Sequence, residues 1–516
     1  MVSENVYINN WSKLPQLFKE NIAAGGFEKF NSYRPLQMLT YMLDYSFWKL
    51  DVRGYHLTNI ILHVLVSLCV FWLVSMLYQK VMLAFLAGLF FALHPMHTEA
   101  VAYISGRADS LGALFVLLSL VFYVKYIQLN KISAYFFSLL FFVFALFSRE
   151  NSLILPFLLL LYYYTFGKKI KIPAFLGVVG VTLTYVLFRI ICLKSLMSDI
   201  IYSGTLLQRI PGVFIAVFNY IKLLFLPFGL HMEYGQRVFK FTHPDALPGL
   251  CIAVVIASYL FLFRRKRGLV FFSLLWFVVT LAPSLNLYPL NAFMAEHWLY
   301  LPSIGFFLIL SGGIISLYDD AKTKNYAIAF ACILILFYSY LTVKQNTYWK
   351  DPAALYKRTL RFSPDSVRTY HLLADIYTRT GREEEALELL RKALQLNPTH
   401  HYGYNNIGNI YAALKKYPEA IDSYGRAIKI APNYAGSYNN LGNVHSDTGE
   451  WDKAIWAYKK AIELNPNLVA AYNNLANIYN KTGNKEMAAA LYRKAIELNP
   501  NIPEIHKNLQ ALHEKN

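Results

Sequence analysis

The chain has 516 residues, 56% hydrophobic and 16% aromatic but only 16% charged, with a mean hydropathy of +0.34. This composition excludes a disordered chain and an ordinary soluble enzyme, and points to a membrane protein. The net charge of +18 does not mark a nucleic-acid binder. Residues 364–516 hold 18 basic and 16 acidic side chains, so the excess lies in residues 1–363, 31 against 15, in short loops between apolar segments. Cationic loops of that kind set topology and meet anionic lipid.

Residues 1–56 read as an external N-terminal loop region, with no cleavable signal peptide, because the first apolar stretch comes late and is too long for one. A polytopic membrane domain follows over 57–343. Its apolar runs fall at 57–78, 81–93, 109–126, 133–147, 151–164, 173–193, 211–228, 248–263, 269–284, 299–317 and 326–343. Each is a candidate helix, since backbone amides in hydrocarbon must pair internally. Several are shorter than the ~20 residues of a perpendicular span and must tilt or pack inside a bundle. The most basic short loops, Lys168-Lys169-Ile170-Lys171 and Arg264-Arg265-Lys266-Arg267, both belong on the cytoplasmic side. An even number of crossings must separate them, yet three runs do. The run 211–228, with Pro211, Asn219, Lys222 and Pro227, is expected to be re-entrant or interfacial. Ten spans then put the loops 94–108 and 285–298, and everything after 344, outside. Cys69, Cys192, Cys251 and Cys332 lie in apolar runs without a metal-binding spacing and read as core residues.

That external face gathers His94-Pro95-Met96-His97-Thr98-Glu99, Ser105-Gly106-Arg107-Ala108-Asp109, Ser148-Arg149-Glu150 and Ala295-Glu296-His297. Charges at such depths cost at least ~2.5 kcal/mol each and usually line a wet cavity; the alternative is a set of salt-bridged loop staples. Arg189, inside an apolar run, needs a partner there, either a structural acid or a phosphate. His94, His97 and Glu99 make a weak zinc signal, and no metal site is expected.

Prolines at 364, 398, 432, 466 and 500 recur every 34 residues, the period of a tetratricopeptide repeat, a helix pair that buries its apolar face by stacking on neighbours. Residues 344–363 read as a linker and orphan helix, and 364–516 as four repeats plus a closing helix. Small residues recur in register, Ala374, Gly408, Gly442 and Ala476 in the first helices and Ala386, Ala420, Ala454 and Ala488 in the second. Packing does not explain Asn406, Asn440, Asn474 and Asn508, nor Asn409, Asn443 and Asn477 one turn later. Asn is a poor interior helix former, so these columns mark a hydrogen-bonding face suited to an extended peptide backbone, or else a solvated one. The fold class is therefore all-α: a transmembrane helix bundle followed by a tetratricopeptide-repeat solenoid.

The residues Tyr33-Arg34-Pro35-Leu36, Gly54-Tyr55-His56, His94 to Asp109, Ser148-Arg149-Glu150, Pro227 to Tyr234 and Ala295 to Pro302, followed by the repeats, resemble those of the transmembrane and tetratricopeptide repeat-containing proteins. That family is a branch of the C-type glycosyltransferase superfamily, similar to protein O-mannosyltransferases. The resemblance implies transfer of a sugar, mannose in kind, from a polyprenyl-phosphate carrier to Ser or Thr of a protein on the external side. It implies no further cofactor and leaves a divalent metal open. Acids of the site would be Glu99 and Asp109; phosphate or sugar contacts would come from Arg34, Arg107, Arg189, Glu296 and His297. Relatives carry one more helix before an acidic pair in the first external loop; here Glu4 stands nearest that place. The repeats would hold the protein acceptor. The competing reading is a catalytically silent membrane adaptor gripping external peptides. A transporter is disfavoured because no repeated halves are visible. A bacterial plasma membrane is expected, an endoplasmic reticulum membrane being the alternative.

Overall fold

The computed structural model describes residues 8–19, 33–193, 205–235, 238–288, 290, 292–500 and 502–514. Among them every regular element is a helix and no strand occurs. The chain forms two units, Met1–Leu355 and Tyr356–Asn516, so the division falls inside the segment expected to be linker and orphan helix.

The N-terminal region is not simply a loop. It contributes α1 (Pro35–Trp48), opened by Pro35, whose missing N–H is no loss at a first helical position, and ended by Lys49 in the left-handed region at φ 52°. Met38, Tyr41, Met42 and Tyr45 share one face of α1 and pack with Ile8, Leu17 and Tyr55. Hydropathy misses this helix because Gln37, Thr40, Asp44 and Ser46 dilute it.

All eleven apolar runs form helices: α2 (Val52–Tyr78), α3 (Val81–Leu93), α4 (Arg107–Leu129), α5 (Ile132–Ser148), α6 (Leu155–Thr165), α7 (Ile172–Leu193), α8 (Leu206–Phe225), α9 (Ala246–Leu262), α10 (Leu269–Leu281), α11 (Ser303–Asp319) and α12 (Lys324–Lys350). By length and apolarity, Val52–Tyr78, Ile104–Leu129, Ile172–Ile191, Leu206–Phe225 and Lys324–Lys350 could each cross a membrane unaided. The run 81–93 is not a complete span by itself: α3 stops at thirteen residues, and the chain turns by 53° into Pro95–Ala102. α5, α9, α10 and α11 are shorter apolar helices.

The two cationic loops share one end of the bundle. The Arg267 guanidinium donates to Tyr164 O at 2.7 Å and lies 4.2 Å from that ring, while Tyr164 OH donates to Arg264 O at 3.1 Å. α3 also starts here, since Tyr78 just before it packs against Phe166 at 5.6 Å. Both ends of α8, by contrast, touch the opposite end. Arg209 in its first turn donates to Asn286 O, just beyond α10, at 3.1 Å, and Leu224 O in its last turn accepts from His94 Nε2, just beyond α3, at 3.2 Å. Although long enough to cross, α8 therefore has both its ends at the far end.

In the second unit the helix pairs are Val367–Arg379 with Glu383–Leu396, His401–Ala413 with Tyr417–Ile430, Ala435–Asp447 with Trp451–Leu464, and Val469–Lys481 with Lys485–Leu498; Pro352–Phe362 precedes them and Pro503–Glu514 closes the stack. Tyr424, Tyr458 and Tyr492 fill the centre of successive pairs and are buried. Glycine is required opposite the first two: a Cβ at Gly408 would stand 2.6 Å from the Tyr424 ring, and one at Gly442 would stand 2.7 Å from Tyr458. His445, which departs from a tyrosine column, is held by Glu450 at 2.5 Å.

Candidate functional site

The far end of the membrane unit holds a contiguous polar cluster assembled from six stretches of sequence. The loop after α3 folds tightly back, with a Cβ at Gly106 only 2.8 Å from Glu99 O, so that Glu99 and the start of α4 come close. Asp109, two residues into α4, is ion-paired with Arg149, which breaks the apolar sequence at the end of α5. Glu150 next to it contacts Arg34 Nε at 3.2 Å and Arg189 of α7 at 3.6 Å. Glu99 accepts from the His297 backbone N–H at 3.1 Å and meets its Nδ1 at 2.9 Å. The pairs also feel one another: His297 senses Asp109 and Arg149 besides Glu99, and Arg34 senses Asp109 besides Glu150.

These neighbours set the charge states. Burial opposes charging His297, but Glu99 and then Asp109 more than offset it and hold its pKa above the ordinary imidazole value. Burial likewise pushes the Glu150 carboxyl up, and Arg34 with Arg189 outweighs it, leaving the pKa below the usual carboxylate value. Four groups keep capacity for a ligand, the first being Arg34, which meets Glu150 through Nε alone and has its side chain 22% exposed. Arg189 is 4% exposed and its Nε has no hydrogen-bond partner. Asp109 gives Oδ2 to Arg149, so Oδ1 remains. His297 gives Nδ1 to Glu99, so Nε2 remains.

Other expected site residues do different work. Arg107 is completely buried: its guanidinium meets Asp44 at 2.6 Å, donates to Asn59 Oδ1 at 2.7 Å and Tyr55 O at 3.0 Å, and lies 4.7 Å over the Tyr41 ring. It is a staple between α1, α2 and α4 with no face left for phosphate or sugar. Glu296, 2% exposed, takes the His231 N–H at 2.6 Å and the Tyr234 hydroxyl at 2.7 Å, pinning the segment 231–234 instead of facing a sugar. Glu4 lies outside the described residues. His94 and His97 direct ring nitrogens at Leu224 O, Phe91 O and Ser303 Oγ, and no group of metal ligands occurs among the described residues. Sequence reasoning missed Asp44, hidden in the undetected α1, and left Arg149 and Glu150 without roles, although a charged pair interrupting an apolar run was the available signal.

The repeat columns divide as well. Asn440 Nδ2 donates back to Asn405 Oδ1 at 3.2 Å and Asn409 Oδ1 at 3.0 Å; Asn474 does the same to Asn439 and Asn443 at 3.3 and 2.9 Å, and Asn508 reaches Asn473 at 3.4 Å. This column joins one repeat to the preceding one, which corrects the expectation that all seven asparagines serve a peptide. Asn409, Asn443 and Asn477 accept the Tyr424, Tyr458 and Tyr492 hydroxyls at 2.7, 2.9 and 2.5 Å. Their oxygens are engaged, and among the described residues their Nδ2 groups donate no hydrogen bond. Asn406, first in its column, makes none of these bonds.

Comparison with known proteins agrees with this anatomy. Models described as TPR repeat match residues 408–449 and 446–483, and models described as tetratricopeptide repeat match 367–400, 389–422 and 469–502. A Caenorhabditis elegans protein named as a protein O-mannosyl-transferase is 25% identical over 404 residues, covering 75% of this chain and 57% of the relative. The human protein O-mannosyl-transferase TMTC1 is 27% identical over 433 residues, covering 69% of this chain and 47% of the relative. Among solved structures, that of MamA is 32% identical over 29% of this chain and 86% of its own, with a TM-score of 0.26. The chain spans about half the length of the curated relatives it matches. Its second unit is a tetratricopeptide-repeat array, and the chain is similar, through most of its length, to protein O-mannosyl-transferases of the TMTC kind.

Proposed function

We propose that the protein is a membrane-embedded O-mannosyltransferase of the C-type glycosyltransferase kind. It takes mannose from a polyprenyl-phosphate carrier and places it on Ser or Thr of proteins at the membrane face opposite the cationic loops. The observation that carries this reading is the cluster itself: a carboxylate with a free oxygen, Asp109, beside cations with unspent capacity, Arg34 and Arg189, at the end of an apolar bundle. An inverting displacement needs those parts. Asp109 accepts the hydroxyl proton as the acceptor oxygen bonds to the anomeric carbon, and the bond from that carbon to the lipid phosphate oxygen breaks. The departing phosphate keeps the bonding electrons, and its charge is met by Arg34 and Arg189. Glu99 is a positioning residue, favouring the charged form of His297 and holding its remaining nitrogen toward the sugar. The donor rail of Asn409, Asn443 and Asn477 suits carbonyl oxygens of an extended acceptor chain.

The test is transfer from labelled polyprenyl-phosphate mannose to a Ser/Thr peptide in membranes. Asp109→Asn should lower the rate by about 10²- to 10⁴-fold, the range lost with a general base, in protein whose hydrogen-exchange pattern is unchanged. Labelling that persists in an Asp109→Asn, Glu99→Gln double variant refutes the site. One observation favours the second reading, a silent membrane adaptor: each of Asp109, Glu99 and Glu150 already has a cationic partner. Peptide binding without any transfer by the wild type would establish that reading.

A further inference from the structure

The transfer chemistry leaves the opposite end of the bundle without a task, and that end is unusual. Lys168, Lys169 and the run 264–267 are exposed, Lys171 is half-buried, and neither loop contains an acid. Among the described residues no carboxylate pairs with any of these seven cations. In the repeat unit, by contrast, Lys392, Arg426, Lys453, Lys460 and Lys494 each have an acidic partner within 3 Å. The two loops are also fastened into one surface although a hundred residues separate them. Arg267 spends its guanidinium on Tyr164, and Lys171 Nζ donates to Asn130 Oδ1 at 2.7 Å and lies 4.5 Å over the Tyr126 ring. This leaves Lys168, Lys169, Arg264, Arg265 and Lys266 as unneutralised charges on an organised platform.

Apolar side chains surround the platform on the bundle side. Ile170 is 45% exposed, Ile172 64%, Phe261 65% and Leu262 72%. In a bilayer these groups belong in hydrocarbon, so the cations one or two residues away stand at the depth of the lipid phosphates. A soluble polyanion would cover the charges and leave that apolar collar untouched, whereas a phospholipid offers a phosphate and an acyl chain at matching heights. We propose that this end of the bundle is a binding surface for anionic phospholipid, which it selects over zwitterionic lipid from the surrounding leaflet. The proposal does not depend on the transferase reading.

The full chain would be reconstituted in phosphatidylcholine vesicles carrying a trace of spin-labelled phosphatidylglycerol or spin-labelled phosphatidylcholine, and the motionally restricted fraction of each label measured. Wild type should favour the glycerol lipid by roughly three- to ten-fold at low salt, with the preference shrinking toward one at about 0.5 M salt, where exposed charges are screened. A variant carrying Lys168→Gln, Lys169→Gln, Arg265→Gln and Lys266→Gln should lose the preference without salt. Equal restriction of both labels by wild type would overturn the proposal, as would a preference that survives in the variant. Inorganic phosphate should compete no better than chloride at equal ionic strength; specific displacement would mean a soluble anion is the ligand and would also overturn it. If the variant does not fold, the salt titration and the phosphate competition on wild type still decide.

Discussion

The two units use the same charged residues to opposite ends. In the membrane unit, Arg107 and Asp44 are both nearly inaccessible and come from positions 63 residues apart. In the repeats, Arg426 and Asp422 form a pair at i,i+4 with side chains 61% and 63% exposed. An exposed pair gains little, because water already solvates both charges and holding two long side chains together costs entropy. A buried pair gives little net stability over an apolar replacement, yet removing one partner strands the other charge. The membrane unit's buried charges are consequently obligatory once present, and the repeat unit's exposed ones are replaceable.

The contrast can be broken most sharply at Arg107. Arg107→Gln should destabilise the membrane unit by about 3–5 kcal/mol, read as a lowered unfolding temperature in detergent, and adding Asp44→Asn should restore part of the loss. A cost below about 1 kcal/mol would mean water reaches the pair. The next effect concerns imidazole. His371, packed 4.5 Å from His400 with both ring nitrogens unpartnered, has its pKa lowered to about 4 by burial and then by the His400 charge. The unfolded chain binds a proton near pH 6.5 and the folded repeat does not, so stability present above pH 6.5 is lost as pH falls toward 4. Hydrogen exchange over the first two repeats should register about 3 kcal/mol of loss across that window, and His371→Phe should flatten it. Smaller again, Asn440→Ala should cost about 0.5–1.5 kcal/mol by removing two hydrogen bonds between repeats, Asn405 and Asn409 each keeping a second donor in Ser437 and Tyr424, while Asn406→Ala should be neutral or slightly stabilising, Ala being the better helix former. Equal effects at the two positions would contradict the division of labour between the columns. At the bottom, Arg426→Ala should change the same exchange profile by less than about 0.5 kcal/mol.

What could be read in advance follows the range of the interactions. The eleven apolar helices and the repeat period are local patterns, and all are present. The place of both α8 ends at the far end agrees with the count of basic loops, parity being a global constraint that a single misplaced crossing violates. α1 was hidden because its buried face includes Gln37 and Asp44, whose partners lie around positions 104 to 107. The pairing scheme of the polar cluster was likewise out of reach: composition and depth single out Glu99, Asp109, Arg107 and Glu296 alike, and only tertiary contacts show that Arg107 and Glu296 are fasteners while Asp109 keeps a free oxygen. In the repeats, Asn406 and Asn409 sit on the same helical face, so spacing could not say which column bonds to the preceding repeat.

The short third helix leaves the bilayer itself undisturbed. Thirteen residues rise only about 20 Å before the chain swings sideways at His94, roughly 10 Å less than a typical hydrocarbon thickness. Only its first turn, Val81, Met82 and Phe85, is exposed, while Leu86, Ala87, Phe90 and Phe91 are buried, so the missing length is made good by the helices packed around it and the lipid beside them keeps its ordinary thickness.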